Sequence, residues 1–356
     1  MLAFQYISYH YIKYFFIILT ALVCFIVGWN YMFDPQSQSN SANLVLIYLV
    51  YKVFFAIDML LPLSLIFAMI STKVFLIRSN ALVSFYSLGY SKTDVLRPFV
   101  IISTLIIVLF IHLHSYQNFS RANEFAKNIR LNGEYLSSTR DLFFTYENQY
   151  IYFSKLIPLQ SKAEGIRVFR MENESLKEVL VASSATYKNS HWHIKEANII
   201  TKPDKLTLDS LGIEITKSKD LEILQNFRPK VLDQVYDGKV NFTIGDALDA
   251  FILLKDQNVN TDTIKGALYK IFIYPFFVPF LLVIIFFFVP ISSRSLNISL
   301  FSFSAILATL ITWAILFALI QLSNSQTISS EIGIILPIIV LFLIAIRQWR
   351  RYRLST

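Results

Sequence analysis

The chain has 356 residues, is 55% hydrophobic by composition and has a mean hydropathy of +0.52, which excludes an ordinary soluble protein and predicts a polytopic membrane protein. Only 12 of the 32 Lys and Arg residues and 4 of the 24 Asp and Glu residues lie outside the polar stretch Ser115–Lys265, so the net charge of +8 belongs to the apolar parts of the chain. A nucleic-acid partner is therefore not needed to explain the charge, and the only cysteine, Cys24, excludes an intrachain disulfide or a thiolate metal cage.

Apolar runs before the polar stretch predict spans 1, 2 and 3, at Tyr14–Met32, Leu44–Phe75 and Pro98–Leu113. Span 1 is expected to be a retained anchor, because it lacks the small-residue exit of a signal peptide. Pro62 is expected to kink span 2, and Asp58 lies one helical turn before it. A carboxylate is costly against lipid, so Asp58 is expected to cap the kinked backbone, pair with Lys52 or face a wet cavity.

The segment Ala81–Ser91, between spans 2 and 3, predicts a short amphipathic helix, here called the interspan helix. Leu82, Phe85 and Tyr86 recur at helical spacing, and Gly89 is placed as a helix C-terminal stop. Such a helix either lies on the bilayer surface or docks into a groove of a cytoplasmic ATPase, from which the chain would receive mechanical work.

The polar stretch Ser115–Lys265, here called the insert, has the size of one ordinary domain and a pattern dominated by strands. The first two predicted strands form a hairpin around Glu147-Asn148. A helix is predicted over Ile244–Lys255, capped by Thr243 with Asp246 in its first turn. These elements indicate an open or rolled antiparallel β structure with a helical return. The predicted strands are Leu142–Tyr146, Tyr150–Ser154, Ile166–Met171, Val179–Tyr187, His191–Ala197 and Leu206–Thr216.

Apolar runs after the insert predict spans 4, 5 and 6, at Ile271–Val289, Ile298–Leu322 and Ile332–Ile346. Asp34 and Glu331 fall on one side of the predicted membrane, and most basic residues of the apolar parts fall on the other. By the positive-inside rule both termini are expected in the cytoplasm and the insert outside it. The basic residues on the cytoplasmic side are Lys13, Lys73, Arg78, Lys92, Arg97, Arg294, Arg347, Arg350, Arg351 and Arg353.

The sequence contains no Walker A loop, no H-E-x-x-H and no G-x-S-x-G motif, so we expect no catalytic residue and no cofactor. His191 and His193 share one face of a predicted strand and could in principle bind a metal. Because no third ligand lies nearby in the sequence, we interpret them as two exposed histidines, and we expect no metal site.

Lys52 and Lys270 each stand at the external end of a span. Snorkelling of a long cationic side chain towards water explains such positions without any function. The same positions also suit contact with an anionic lipid headgroup.

Several passages resemble the LptF/LptG permease family, the paired membrane subunits of the lipopolysaccharide exporter, over nearly the whole chain. The resemblance is carried by Asp58–Pro62 in span 2, by Ala81–Ser91 and by Ala182–Trp192, which leads to a tryptophan. Its most specific part is Phe242–Pro275, FTIGDALDAFILLKDQNVNTDTIKGALYKIFIYP. The order of these passages and the arrangement of three spans on each side of the insert support the match. The Asp58–Pro62 region is closer to LptG than to LptF.

The resemblance implies an α-helical inner-membrane protein with six transmembrane helices and an inserted antiparallel periplasmic β-jellyroll. Its parts would be residues 1–114 with a coupling helix near 81–89, the jellyroll domain 115–265, and residues 266–356 with a basic cytoplasmic tail. It further implies a second LptF/LptG-type subunit, two cytoplasmic ATPase subunits and a periplasmic jellyroll bridge protein as partners. Lipopolysaccharide would enter a cavity lined by spans 1 and 5 and pass into a groove of the jellyroll.

Each of these implied surfaces has candidate residues in this chain. The ATPase contact would use Leu82, Phe85, Tyr86 and Gly89, and the lipid cavity Phe25, Trp29, Phe301 and Phe303. The groove would use Ile151, Phe153 and Trp192, although the alternation of the second strand equally allows Tyr150 and Tyr152 inside.

The chain departs from the family pattern at two places. Ala81 stands where the family commonly has a glutamate that pairs with the ATPase, and the basic cluster at the external end of span 1 is replaced by Asp34 alone. Lys52 and Lys270 would then have to supply phosphate contacts. Two other functions remain open: the permease of another ABC-type mechanotransmission system, and a membrane-anchored sensor or scaffold whose β domain binds protein.

Overall fold

A computed structural model of the chain forms two compact units, residues 1–123 with 265–356 and residues 124–264, which are treated separately below. The first unit is called the membrane unit and the second the β unit. The structure describes residues 2–33, 41–130, 139–146, 149–157, 161–172, 175–189, 191–203, 212–224, 243–254, 261–288 and 298–353.

The membrane unit has six helices long and apolar enough to cross a membrane, among the described residues, which confirms the predicted number of spans. Spans 1, 3 and 4 begin earlier than predicted, at Leu2, Lys92 and Asp262. Span 3 begins at Lys92 because Ser91 and Asp94 form a reciprocal capping box, in which the Ser91 side chain accepts from the Asp94 N–H. The observed bounds of spans 1 to 6 are Leu2–Met32, Ala42–Arg78, Lys92–Leu113, Asp262–Phe287, Ile298–Asn324 and Glu331–Arg353.

Spans 4 and 6 are not uniform helices. Span 4 runs as an α-helix over Asp262–Phe272, as a 3-10 turn over Tyr274–Phe276 and again as an α-helix over Phe277–Phe287. The change falls at Pro275, which lacks an N–H for the helical ladder. Span 6 begins with a π-helical turn, Glu331–Ile335, and continues as the α-helix Leu336–Arg353. Residues 34–40, between spans 1 and 2, and 289–297, between spans 4 and 5, lie outside the described part of the chain.

Spans 2 and 4 form the interior of the membrane unit, while spans 1, 5 and 6 lie at its periphery. In the most apolar stretch of spans 2 and 4, 61% of the residues are buried inside the chain, against 17% in span 1 and 22% in spans 5 and 6. Lys73 of span 2 is buried, donates from Nζ to the carbonyl oxygen of Phe286 at 2.5 Å and lies over the Phe286 ring. This contact ties span 2 to the last turn of span 4, whose carbonyls lack helical partners.

Spans 4, 5 and 6 meet closely where small residues replace large ones. A Cβ added at Gly333 would lie 3.1 Å from the carbonyl oxygen of Leu319 and 3.0 Å from the Cβ of Ser323. Ser323 and Ser330 are buried and hydrogen-bond to each other at 3.0 Å. Close approach of these helices therefore depends on glycine and serine.

The β unit contains a six-stranded antiparallel sheet whose strands pair in chain order, as an up-and-down meander. Side chains alternate between a buried and an outer face, as in an antiparallel sheet with one protected side. The six strands and the six spans together confirm the predicted fold class. The strands are β1 Thr139–Tyr146, β2 Gln149–Ile157, β3 Lys162–Glu172, β4 Ser175–Lys188, β5 His191–Thr201 and β6 Glu214–Ile223.

The last strand is the one of which the sequence prediction covers only a small part. Its predicted range, Leu206–Thr216, includes only the first three residues of β6. Residues 204–211 lie outside the described part of the chain. β6 is rich in charge and largely exposed, because it pairs only with β5 among the described strands. Edge strands protect themselves with charged side chains, and this hides the alternation that reveals an inner strand.

Helices accompany the sheet in the sequence. Gln117–Ser120 and Ala122–Arg130 precede it, and Ile244–Leu254 follows it. The last of these has the predicted cap, since the backbone N–H of Asp246 donates to the Thr243 hydroxyl at 3.1 Å. The predicted helical return is confirmed, except for Lys255, which lies outside the described residues.

Candidate functional site

The interspan helix forms as predicted, over Ala81–Ser87, and ends at Gly89. The backbone N–H of Gly89 donates to the Tyr86 carbonyl and that of Tyr90 to the Phe85 carbonyl, both at 3.1 Å. This is a Schellman motif, and Gly89 adopts the left-handed conformation it requires, with φ of 86°. Tyr90 then packs against Phe85, with ring centroids 6.1 Å apart, so the turn is locked on its apolar side.

The largest apolar residues of this helix face the chain itself. Leu82 is fully buried, Phe85 packs on Tyr6 of span 1, and Tyr86 is half-buried. Burial raises the pKa of Tyr86 to about 12. These residues anchor the helix to spans 1 and 2. Their large apolar side chains, at helical spacing, produce the amphipathic pattern seen in the sequence.

The outward surface of the interspan helix is carried by other residues. Leu88 is 74% exposed and Val83 38% exposed, with Ser84 and Ser87 exposed between them. Leu88 and Val83 are not among the predicted contact residues, because the strongest helical periodicity belongs to the anchoring side. Their position on the other side of that pattern is the signal that identifies them.

A buried polar pair joins spans 2 and 3. Asp58 Oδ1 lies 2.9 Å from His114 Nε2, and the other ring nitrogen of His114 lies 3.1 Å from the Phe110 carbonyl oxygen. The ammonium group of Lys270, on span 4, is near enough to attract the Asp58 carboxylate electrostatically. In the structure Asp58 pairs with His114, which is distant in the sequence and was not among the roles expected for Asp58.

The two lysines chosen as headgroup contacts have neighbours of their own. Lys52 lies over the rings of Tyr48 and Phe55, with its Nζ 5.6 Å from each ring centroid. Lys270 is half-exposed beside the Asp58–His114 pair. Each is only partly buried, and contact with an anionic headgroup stays a prediction for both.

The four candidate cavity residues do not behave alike. Phe25 and Trp29 of span 1 are exposed, with ring centroids 6.0 Å apart, and Phe33 continues this stripe 4.6 Å from Trp29. Phe303 of span 5 is 65% exposed, but Phe301 is only 8% exposed and belongs to the core. Spans 1 and 5 both pack against span 2, where Val23, Leu60 and Trp313 share one cluster.

The structure resolves which side chains of β2 face inward. Ile151 and Phe153 are fully buried, whereas Tyr150 is 41% exposed. Trp192 of β5 is also fully buried and lies 5.3 Å from Phe153 between ring centroids. The three candidate groove residues therefore share the inner face of the sheet. His191 and His193 lie near backbone carbonyls, with His191 Nδ1 3.0 Å from Asn189 O and His193 Nε2 3.0 Å from Lys188 O.

Six apolar helices among the described residues, with a β unit inserted in the sequence between the third and fourth, are the architecture of a multi-pass membrane protein. The family model described as lipopolysaccharide export system permease LptF/LptG matches residues 5–351. The chain therefore belongs to the LptF/LptG family, a family of inner-membrane permease subunits for lipopolysaccharide export. A comparison with curated proteins found no match.

Proposed function

We propose that this chain is one half of a paired permease that lifts lipopolysaccharide out of the inner membrane, using force from separate ATPase subunits, and passes it to a jellyroll bridge. A lipid resists leaving the bilayer because each methylene group exposed to water costs about 0.8 kcal/mol. Extraction therefore needs outside work and a continuous apolar route. The observation that carries the proposal is the exposed apolar surface of spans 1 and 5.

The exposed residues of spans 1 and 5 form apolar stripes along each helix, as expected for one wall of a lipid cavity. Phe25, Trp29 and Phe33 recur every helical turn on span 1, and Phe303, Leu307 and Ile311 do so on span 5. Both spans lie at the periphery of the membrane unit and share span 2 as their support. A second subunit with matching surfaces would close these walls into a cavity, which supports the pairing of two permease chains.

The interspan helix supports the second part of the proposal, the receipt of work. It is anchored by Leu82 and Phe85 and presents Leu88 and Val83 outward. We propose that Leu88 and Val83 fill a groove of the ATPase, while Leu82, Phe85, Tyr86 and Gly89 hold the helix in position. Ala81, at the position of the family glutamate, begins this helix and packs partly against the core. The contact would thus be mainly apolar in this chain.

The proposed topology places both termini and the interspan helix in the cytoplasm and the β unit in the periplasm. The clustering of basic residues at one end of the spans supports this orientation. The β unit would then stand on the side to which lipid is delivered. Its inner face, with Ile151, Phe153 and Trp192, is the apolar surface that would receive acyl chains.

A photo-crosslinking amino acid at Phe25 or Phe303 is expected to capture lipopolysaccharide in the assembled complex, because both positions face outward from spans 1 and 5. ATP turnover is expected to transfer the lipid, so that adducts at Trp192 or Phe153 rise as those at Phe25 fall. The measurement is immunodetection of lipopolysaccharide on the crosslinked chain, before and after ATP addition.

Phe301 is the matched control, since it lies two residues from Phe303 on the same helix but is 8% exposed. Leu343 on span 6, which is 59% exposed, controls for contact with bulk lipid. No adduct at any position of spans 1 and 5 would remove the transport function and favour a membrane-anchored sensor or scaffold. Adducts that form without any ATPase attached and do not respond to ATP would favour a permease of another kind.

Leu88→Gln is expected to weaken association with the ATPase at least about tenfold, because burying a leucine side chain contributes about 1.5–3 kcal/mol. Phe85→Ala is expected to weaken it as well, by releasing the anchored side of the helix. The measurement is the affinity of the detergent-solubilised permease for the isolated ATPase. Leu248→Gln, at an exposed leucine of the β unit, is the control, and unchanged affinity of Leu88→Gln would contradict docking at this helix.

A further inference from the structure

Spans 3, 4 and 6 enclose an open groove that neither the proposed cargo surface nor the interspan helix uses. Its volume is about 440 Å³. Pro279, Val283 and Ala345 are buried at its floor, and Phe342 is 41% exposed at its rim, with its ring 5.1 Å from that of Phe280. The lining residues are Val100, Thr104, Phe276, Pro279, Phe280, Val283, Phe342, Ala345, Ile346 and Trp349.

The groove is almost purely hydrocarbon in character. Thr104 and Trp349 supply the only polar side-chain atoms among its lining residues. Along span 6 it extends from Trp349 back to Phe342, a distance of roughly 10 Å at the rise of an α-helix. A groove of this chemistry within a membrane-spanning helix bundle suits a flexible apolar chain lying along the helices.

One end of the groove is marked by arginines. Arg350 follows Ile346 by one helical turn on span 6, and Arg97 precedes Val100 by one turn on span 3. The Arg97 side chain pairs with Asp94 at 3.0 Å, borders a second cavity beside Leu88 of the interspan helix, and is still 62% exposed. Arg350 is exposed. Trp349 stands at the same end, as expected where a helix crosses from hydrocarbon to headgroup region.

We propose that this groove binds one acyl chain of an anionic phospholipid, whose phosphate is held by Arg97 and Arg350. The charge complementarity between these arginines and a phosphate, beside an apolar groove, identifies the ligand class. The groove is too small for a partner helix, because a single helical turn with side chains occupies roughly 500 Å³ by its diameter and pitch. The site is separate from the cargo surface of spans 1 and 5 and does not depend on the proposed function.

The test is native mass spectrometry of the purified full chain, with the partners that copurify, after exchange into micelles containing phosphatidylglycerol or phosphatidylcholine. The wild-type protein is expected to retain one phosphatidylglycerol in preference to phosphatidylcholine. The double variant Arg97→Gln with Arg350→Gln is expected to bind it about thirtyfold more weakly, about fivefold for each basic residue near an anionic lipid surface.

Two matched controls separate a site from a charged surface. Arg347→Gln with Arg351→Gln removes two positive charges from span 6, as many as the test variant removes from spans 3 and 6 together, and is expected to change retention less than about twofold. Thr104→Phe fills the groove and is expected to abolish retention, whereas Leu105→Phe, at the adjacent exposed position, is expected to preserve it.

Each opposite outcome overturns the proposal. Equal retention of phosphatidylcholine would remove headgroup recognition, and an equal loss in the Arg347 and Arg351 double variant would reduce the effect to surface charge. Retention by Thr104→Phe would place the lipid elsewhere, and displacement of phosphatidylglycerol by lipopolysaccharide would make the groove part of the cargo path. If the Arg97 and Arg350 double variant does not fold, the comparison of Thr104→Phe with Leu105→Phe decides alone.

Discussion

Asp58→Ala is expected to lower the free energy of unfolding of the membrane unit by about 2 kcal/mol, because it leaves His114 without its partner between spans 2 and 3. The loss lies on the low side for a buried pair, since the Asp58 side chain keeps 24% of its surface exposed. The measurement is unfolding of the solubilised chain in a denaturing detergent. Asp58→Asn retains an oxygen that can accept from His114 and is expected to lose less.

A double-mutant cycle of Asp58→Ala with His114→Ala isolates the pair from other effects. Ser64→Ala is the control on the same span, because the Ser64 hydroxyl donates only to the Leu60 carbonyl within its own helix. Additive losses in the cycle would show that the two side chains do not stabilise one another. Asp58 would then stabilise the membrane unit through Lys270, the other charge near it.

Trp192→Ala is expected to destabilise the β unit by about 3 kcal/mol, since truncating a fully buried tryptophan removes its packing and leaves a cavity. The ring contacts with Phe153 and Tyr187 would both be lost. Pulse proteolysis of the full chain in urea, followed through fragments of the β unit, measures the effect. The same variant is expected to show less lipid crosslinking at Phe153, because the inner face loses its largest apolar side chain.

Phe143→Ala is the matched control on the outer face of the same sheet. Phe143 is 56% exposed and stacks on Tyr150 at 5.9 Å, so its loss is expected to cost less than about 1 kcal/mol. Similar losses for Trp192→Ala and Phe143→Ala would contradict the assignment of an inner face. A stable Trp192→Ala variant with unchanged crosslinking would separate Trp192 from the lipid route.

The elements of this protein were predictable where a local pattern or a single residue type decides them. Long apolar runs predicted all six spans, and alternation predicted five of the six strands. The turn at Gly89 was also predictable, because only a residue that tolerates positive φ ends the interspan helix in this way. Only the first three residues of the sixth strand were predicted, because its exposed, charged sequence carries no alternation between an inner and an outer face.

The candidate sites were less predictable, because function here depends on which side of each helix is already covered. Leu82 and Phe301 were chosen as surface residues from their apolar character, yet the fold buries both. Leu88 and Phe303 are the exposed counterparts on the same elements. Two apolar residues in a membrane helix look alike in sequence, since lipid and protein interior are equally apolar environments.

The order and length of apolar runs, together with the family-specific passages, were enough to establish a six-span permease with an inserted β unit, because hydrocarbon thickness and backbone hydrogen bonding impose those patterns on any spanning chain. Packing alone made His114 the partner of Asp58, turned Ile151, Phe153 and Trp192 to one face of the sheet, and left most of spans 1, 5 and 6 exposed. These outcomes depend on contacts between residues far apart in the chain, and no local pattern encodes such contacts.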